Sequence, residues 1–427
     1  MRATGARALP GTLSLLLAGS LAASAAGPGS DFRLWRTGAP PAETPAAGAP
    51  PAALLALTDQ VLPEVSRLRG LDLLGPVARE VHDEATLRSY VSRRLEEEYP
   101  GDRLKREERL LLALGLLPPG SDLERAIGDL YAAQTAGYYD PARRTLYLSE
   151  TLPEMMQRPT LVHELTHALQ DQHFKIARFM DPRRTERNDD ASLAVSALIE
   201  GDATGVMLSS LTPPGGAGLW PGGLSFFDGD LLESLTAAQS PGAPAFLVQV
   251  LGFPYKYGTR FVARLYSQGG WEAVNAAYAR PPRSSEQVLH PERYAPLEDP
   301  PRHVAEAVLP AALGGLSRNH DLVLGEFVTR LVLEPGVGQE RAGRAADGWD
   351  GDRAALYVGA GAELVVWLSV WDSPQEASEF AAAVGDGGAG GRLTETRGER
   401  VLHLRGGGTL PGSDLPALAD ALWKGWR

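Results

Sequence analysis

Through most of its first 280 residues, the chain places apolar residues at the three- and four-residue spacing of amphipathic helices. Predicted helices begin near Ala52 and continue over about Leu87–Leu95, Arg106–Leu116, Asp122–Thr135, Thr160–Phe174, Ala191–Leu211, Pro244–Leu251, Tyr257–Gln268 and Trp271–Ala279. One stretch departs from this spacing: Tyr138–Tyr139 and Thr145–Leu148 flank an Asp-Pro turn, which is typical of a β-hairpin. The pattern predicts a mainly helical α+β fold with a small antiparallel sheet.

The pattern changes after about Gly315. A predicted helix over Leu322–Leu333 precedes a glycine-rich loop, and apolar strand-like runs follow at Ala354–Val358, Glu363–Trp371 and Val401–Leu404, with helices over Ser373–Val384 and Leu415–Trp426. Trp367 and Trp371 lie four residues apart in a predicted strand and are expected in the core. We therefore expect a main domain at residues 52–315 and a small C-terminal α/β module at residues 316–427.

The N-terminus has the pattern of a secretory signal peptide at residues 1–25. Arg2 and Arg7 precede a short apolar run, and Ala23-Ser24-Ala25 resembles a cleavage site. Residues 26–51 are rich in Pro and Ala, a composition that is typical of a linker. We expect a protein that is secreted or held in the cell envelope, with no stable membrane span after cleavage. The alternative is that the apolar run is retained as an anchor.

Composition excludes several classes of function. The chain has no Cys, so it has no disulfides, no Cys-ligated metal and no cysteine nucleophile. Its 41 Lys+Arg and 53 Asp+Glu give a net charge of -12 without a strong basic cluster, and we expect no nucleic-acid partner. No Gly-x-Ser-x-Gly motif of serine hydrolases is present.

The strongest chemical signal is an H-E-x-x-H motif within the predicted helix Thr160–Phe174. At about 3.6 residues per turn, His163 and His167 project from one face, where both imidazoles can bind one cation. Glu164 is offset by about 100° and can approach a water molecule on that cation. Two imidazoles suit Zn²⁺, which takes a third protein ligand and leaves one position open.

The best candidate for the third ligand is Glu200. It lies 33 residues after His167 in the apolar helix Leu193–Met207, where a carboxylate without a partner is costly. A cation shared with the two imidazoles would provide that partner. The sequence therefore predicts one zinc ion held by His163, His167 and Glu200.

His163-Glu164-x-x-His167 followed by Glu200 resembles the gluzincin branch of zinc metallopeptidases. The wider segments His163–Phe174 and Leu198–Thr204 resemble an uncharacterised bacterial group of that branch. The resemblance implies a zincin-like domain in which these three residues bind zinc and Glu164 is the general base and acid. It also implies a peptide or protein substrate that pairs with an edge strand beside the active helix. Either Tyr138–Asp140 or Thr145–Leu148 would be that strand.

The chain also departs from the well-studied gluzincins. They carry an acid four residues after the third ligand, where this chain has Thr204, and either Asp171 or Asp202 could orient a ligating histidine instead. A transition-state oxyanion needs a further hydrogen-bond donor. His290 is the first candidate for that donor and Tyr257 the second.

Three hypotheses follow. The chain is an exported zinc peptidase, or a zinc-binding envelope scaffold or binding protein without catalysis, or a structural protein with an incidental motif. The first two share the metal ligands and differ at Glu164, because a scaffold needs no general base. An intact Glu164 favours the peptidase.

Overall fold

The computed structural model describes residues 51–99, 101–134, 137–180, 188–211, 242–307, 315–359, 361–385, 391–410 and 414–426. The predicted signal peptide lies outside the described residues, as does the predicted linker apart from Pro51. The described chain is mainly helical with two small sheets, which confirms the predicted α+β class.

The helices are α1 (Pro51–Arg69), α2 (Glu84–Glu98), α3 (Arg103–Leu114), α4 (Leu123–Gln134), α5 (Glu154–Phe174), α6 (Asp189–Ser210), α7 (Ala245–Ala279), α8 (Ser285–Leu289), α9 (Pro291–Tyr294), α10 (Gly325–Val337), α11 (Gln339–Ala346), α12 (Pro374–Gly385) and α13 (Leu415–Gly425). The strands are β1 (Ala78–His82), β2 (Gly137–Asp140), β3 (Thr145–Ser149), β4 (Ser317–Leu322), β5 (Trp349–Gly359), β6 (Ala362–Trp371), β7 (Arg392–Arg397) and β8 (Arg400–Gly408).

The described residues form two compact units. The first unit comprises those within Met1–Glu98, Arg125–Arg184 and Val195–Pro281, and the second comprises those within Tyr99–Glu124, Thr185–Ala194 and Pro282–Arg427. The second unit thus takes in α3 and the first six residues of α6, Asp189–Ala194, as well as C-terminal residues. The division at residue 315 that the sequence suggests stays a prediction.

The sheet of the first unit has the strand order β1-β3-β2. The strands β2 and β3 pair antiparallel, with Tyr139 opposite Leu146, and form the predicted hairpin. The strand β1 adds in parallel to β3, with Val81 opposite Leu148, and was not predicted. Its sequence, AREVH, holds few apolar residues and is only partly buried, so periodicity does not reveal it.

The helices α5 and α6 lie in the core of the first unit. Leu161, Val162 and Leu165 of α5 are buried with apolar residues of α1, β2, β3 and α6. The chain has no room for a side chain at one crossing between α6 and α7, since a Cβ added at Gly201 would collide with the backbone of Gly258. This close approach requires glycine and fixes where the residues beside Gly201 lie.

The second unit contains an antiparallel sheet with the strand order β4-β5-β6-β8-β7. The side chains of β6 alternate between two buried faces: Leu364, Val366 and Leu368 join a cluster that includes α13, while Trp367 and Trp371 pack on Phe380 of α12. Both tryptophans are at most 1% exposed, as the strand pattern predicts. Helices therefore cover both faces of this sheet.

The helix α6 is the one described helix that is long and apolar enough to cross a membrane by length and composition, although the sequence suggested no such stretch. Its apolar window is 94% buried within the protein, as in the core helix of a soluble domain.

Candidate metal centre

The two histidines of the H-E-x-x-H motif lie in the buried half of α5. Apolar residues surround this part of the helix, and Thr160 to Asp171 form an unbroken buried run. His163 and His167 lie one turn apart, with their rings 4.7 Å apart and nearly perpendicular. Both imidazoles are at most 2% exposed, so each polar nitrogen needs a partner inside the protein.

The carboxylate of Glu200 meets both imidazoles. Its Oε2 lies 3.1 Å from His163 Nε2 and 3.4 Å from His167 Nε2, and the two Nε2 atoms are 3.0 Å apart. Ligands about 2.0–2.1 Å from one tetrahedral zinc ion are separated by about 3.3 Å, so the spacing matches a shared cation. Among the described residues, this is the group of three His, Asp or Glu side chains that could hold a metal ion.

The charges at the centre also fit a cation. Burial alone would lower the pKa of His167, but Glu200, together with Glu164 and Gln170, outweighs burial and raises that pKa to about 9. Burial would raise the pKa of Glu200, yet His167 lowers it to about 2. The protein therefore stabilises positive charge at this point, and a bound cation would take the place of the imidazole proton.

Glu164 is fully buried beside the centre and has one oxygen free. Its Oε2 accepts a hydrogen bond of 2.8 Å from the backbone N–H of Tyr139 in β2. Its Oε1 has no hydrogen-bond partner among the described residues. Burial raises the pKa of Glu164 well above its usual value, with Glu200 adding to the effect and His167 opposing it. An unpaired buried carboxylate oxygen indicates a site that a ligand or water completes.

The two acids suggested as partners of a ligating histidine contact other groups. Asp171 accepts a hydrogen bond of 3.2 Å from the hydroxyl of Tyr139. Asp202 forms a buried salt bridge of 2.6 Å with Arg69 and accepts a hydrogen bond of 2.7 Å from the hydroxyl of Tyr278. Both carboxylates therefore hold together elements around the centre.

The amide that does contact a histidine of the centre is Gln170. Its Oε1 lies 2.8 Å from His167 Nδ1, and its Nε2 donates to the carbonyl of Ile199 at 3.0 Å. The sequence reasoning considered only acids and missed this residue. Its spacing was a usable signal, because a residue three positions after His167 shares its helix face.

A tyrosine also lies beside the centre, but it is Tyr255 and not Tyr257. The ring of Tyr255 stacks 6.1 Å from that of His163 and is 1% exposed. Tyr257 is partly exposed and contacts Phe253 and Lys256 of its own helix. Residues two positions apart on a helix are rotated by about 200° about its axis, so Tyr255 and Tyr257 face different sides of α7. The role suggested for Tyr257 stays a prediction.

His290 belongs to the second unit, between α8 and α9. Its Nε2 lies 3.0 Å from Glu326 Oε1, and this hydrogen bond is the main reason that its pKa is raised. The histidine thus has a carboxylate partner within its own unit. Its predicted role in stabilising a transition state stays a prediction.

Of the two strands suggested as a substrate edge, only β2 lies at an edge of the sheet that the described residues form. The strand β3 sits between β1 and β2, so both of its sides are paired. The strand β2 is also the one whose Tyr139 N–H contacts Glu164. The geometry therefore narrows the substrate edge of the sequence hypothesis to β2.

When the chain is compared with known proteins, a match is found for one part of it. Residues 314–409 match a family described as Domain of unknown function (DUF8575). The match lies in the second unit and includes neither the two histidines nor Glu200. The chain matches no curated protein and no solved structure.

Proposed function

We propose that the chain is an exported zinc-dependent peptidase. One observation carries the proposal: two imidazole nitrogens and a carboxylate oxygen lie 3.0–3.4 Å from one another, with Glu164 beside them. A purely structural cluster would satisfy these atoms with protein donors. Here the three atoms face each other, and Glu164 Oε1 faces no described donor.

Zinc is the metal that this set of donors favours. Two imidazoles and one carboxylate, with no thiolate, form the ligand set of zinc hydrolases that keep a fourth position open. Magnesium and calcium prefer sites made wholly of oxygen. His163, His167 and Glu200 would hold the ion.

The ion, when bound, polarises a carbonyl and makes water more acidic. Glu164 then acts through Oε1, which accepts the proton of the attacking water and delivers it to the nitrogen of the leaving amine. The Tyr139 N–H holds Oε2 and so orients the other oxygen. The fully buried setting keeps bulk water away from this proton transfer.

A peptide is the proposed substrate because an edge strand lies next to the proposed base. Extended peptides add to the open edge of a sheet through backbone hydrogen bonds. The hydrogen bond between Tyr139 N–H and Glu164 brings β2 alongside the H-E-x-x-H helix. A chain paired with β2 would therefore pass close to Glu164.

Burial of the centre favours a second candidate, a zinc-binding scaffold without turnover. His163, Glu164, His167 and Glu200 are all at most 2% exposed, as structural metal ligands commonly are. The two functions differ in what they require of Glu164, since a scaffold needs no base.

The test uses Glu164→Gln, with Glu154→Gln as control at the exposed start of α5. We expect the purified parent protein to contain one zinc ion by atomic emission and to cleave members of a peptide library unless a chelator is present. Glu164→Gln should keep the zinc and lose at least about a hundredfold in cleavage rate, as expected for loss of a general base. Glu154→Gln should match the parent. Full zinc content with no cleavage by the parent would support the scaffold.

A further inference from the structure

The amide of Gln170 joins the two helices that carry the proposed ligands. It is fully buried on α5, three residues after His167. One end of the amide contacts the His167 ring at 2.8 Å, and the other end contacts the carbonyl of Ile199 in α6 at 3.0 Å. Ile199 directly precedes Glu200, so one side chain touches a proposed ligand on α5 and the neighbour of another on α6.

These contacts determine where the proton of His167 lies. The Ile199 carbonyl only accepts hydrogen bonds, so the NH₂ of Gln170 must face it. The amide oxygen then faces His167 Nδ1, and a hydrogen bond forms there only if Nδ1 carries the hydrogen. In the neutral ring, Nε2 is then left with its lone pair. Nε2 is the atom that faces His163 and Glu200.

Neither of the two acids that the sequence suggests competes for the contact with His167 Nδ1. Asp171 binds the Tyr139 hydroxyl, and Asp202 binds Arg69 and Tyr278. Metal-bound histidines commonly donate their second N–H to a carboxylate, a backbone carbonyl or water. Here a neutral amide occupies that position.

We propose that Gln170 is the positioning residue of the metal centre: it selects the Nδ1–H form of His167 and ties that imidazole to the backbone beside Glu200. The inference rests on the proposed metal site. A neutral partner leaves the imidazole a weaker electron donor than an anionic one would, which lowers metal affinity and preserves the acidity of the ion.

The experiment measures zinc affinity by competition with a chromophoric chelator, and the absorption spectrum of the Co²⁺-substituted protein. The variants are Gln170→Met, which keeps the length of the side chain without its hydrogen bonds, and Gln170→Glu, which keeps an acceptor for Nδ1–H. The matched control is Gln157→Met. Gln157 is also buried on α5 and its amide also donates to a backbone carbonyl, that of Leu152, but it contacts no imidazole.

We expect Gln170→Met to lose about 10- to 100-fold in zinc affinity and to change the Co²⁺ spectrum. Gln170→Glu keeps the acceptor for His167 Nδ1–H but loses the donor to the Ile199 carbonyl, so it should lose less zinc affinity than Gln170→Met. Gln157→Met should match the parent. Parental affinity in Gln170→Met would overturn the inference and leave the metal site standing. Equal losses in the Met and Glu variants would also overturn it, because the amide would then serve only to pack the helices. No zinc binding by the parent would refute the proposed function and this inference together.

Discussion

Two buried carboxylates, Asp352 in the second unit and Glu200 in the first, are satisfied differently. In the second unit, Asp352 accepts hydrogen bonds from the backbone N–H groups of Leu324 and Gly325 and from the indole N–H groups of Trp349 and Trp367, at 2.9–3.3 Å. In the first unit, Glu200 meets two imidazole nitrogens that converge on the same oxygen. The chain supplies four N–H donors of fixed protonation in one place and only two imidazole nitrogens in the other.

The difference separates a structural buried carboxyl group from a ligand site. Asp352 needs nothing from outside, since β5, β6 and the start of α10 provide its four N–H donors. The cluster at Glu200 is complete only with a proton or a cation between its atoms. A buried polar group that the chain leaves incomplete is therefore the better sign of function.

The largest expected effect comes from removing Glu200, the carboxylate of the incomplete cluster. Glu200→Ala should lower zinc affinity at least about a thousandfold, which corresponds to about 4 kcal/mol, because one of three ligands is lost. Chelator competition measures the change. Ser209→Ala, farther along α6, is the control and should bind as the parent does. Unchanged affinity in Glu200→Ala would mean that another group fills the third position.

The complementary change removes Asp352, the carboxylate whose hydrogen bonds the protein itself provides. Asp352→Asn should reduce the free energy of unfolding by about 3 kcal/mol, because an amide cannot accept from all four donors. Zinc affinity should not change. Urea unfolding measures the stability, and Asp420→Asn, whose side chain is 69% exposed, should stay within about 0.5 kcal/mol of the parent. A loss of similar size in both variants would contradict the assignment of a special role to Asp352.

Adding the metal tests whether the first cluster is incomplete without it. Free zinc at about 100 times its dissociation constant should raise the free energy of unfolding by about 2.7 kcal/mol, seen as a higher melting temperature. Glu200→Ala should show no such rise, while Asp352→Asn should show the full rise. An equal rise in all three proteins would point to zinc binding elsewhere.

The smallest expected effect concerns pH and His403 of the second unit. Burial, helped by Arg392 and Arg405, lowers the pKa of His403 to about 4, against about 6.5 when unfolded. Between these values the unfolded chain binds more protons, so stability falls as pH falls. The contribution from pH 7 to pH 5 is about 2 kcal/mol. Urea unfolding at both pH values measures how far the free energy of unfolding falls from pH 7 to pH 5. This fall should be about 2 kcal/mol smaller in His403→Gln than in the parent. Equal falls in the two proteins would contradict the lowered pKa of His403.

Local periodicity predicted most of what lies close together along the chain. The helical turn between His163 and His167, the hairpin of β2 and β3, and the buried Trp367 and Trp371 all follow from spacing over a few residues. The contact of Glu200 with the two histidines was predicted on energetic grounds, because a buried carboxylate in an apolar helix needs a partner.

Features that depend on distant parts of the chain were not predictable. The parallel pairing of β1 with β3 joins segments more than 60 residues apart, and nothing in AREVH specifies it. The position of Tyr255 beside His163 depends on which face of α7 packs inward. The partner of His167 was missed for a chemical reason, since acids were expected and Gln170 is an amide.

The glycine crossing of α6 and α7 has a consequence for anyone redesigning the centre. Even a methyl group at Gly201 would strike the backbone of Gly258, so α6 cannot slide or turn past its neighbour. Attempts to fit a bigger ion at the centre should therefore vary side chains and leave this glycine pair untouched, because the crossing sets the distance between α6 and α7 next to Glu200.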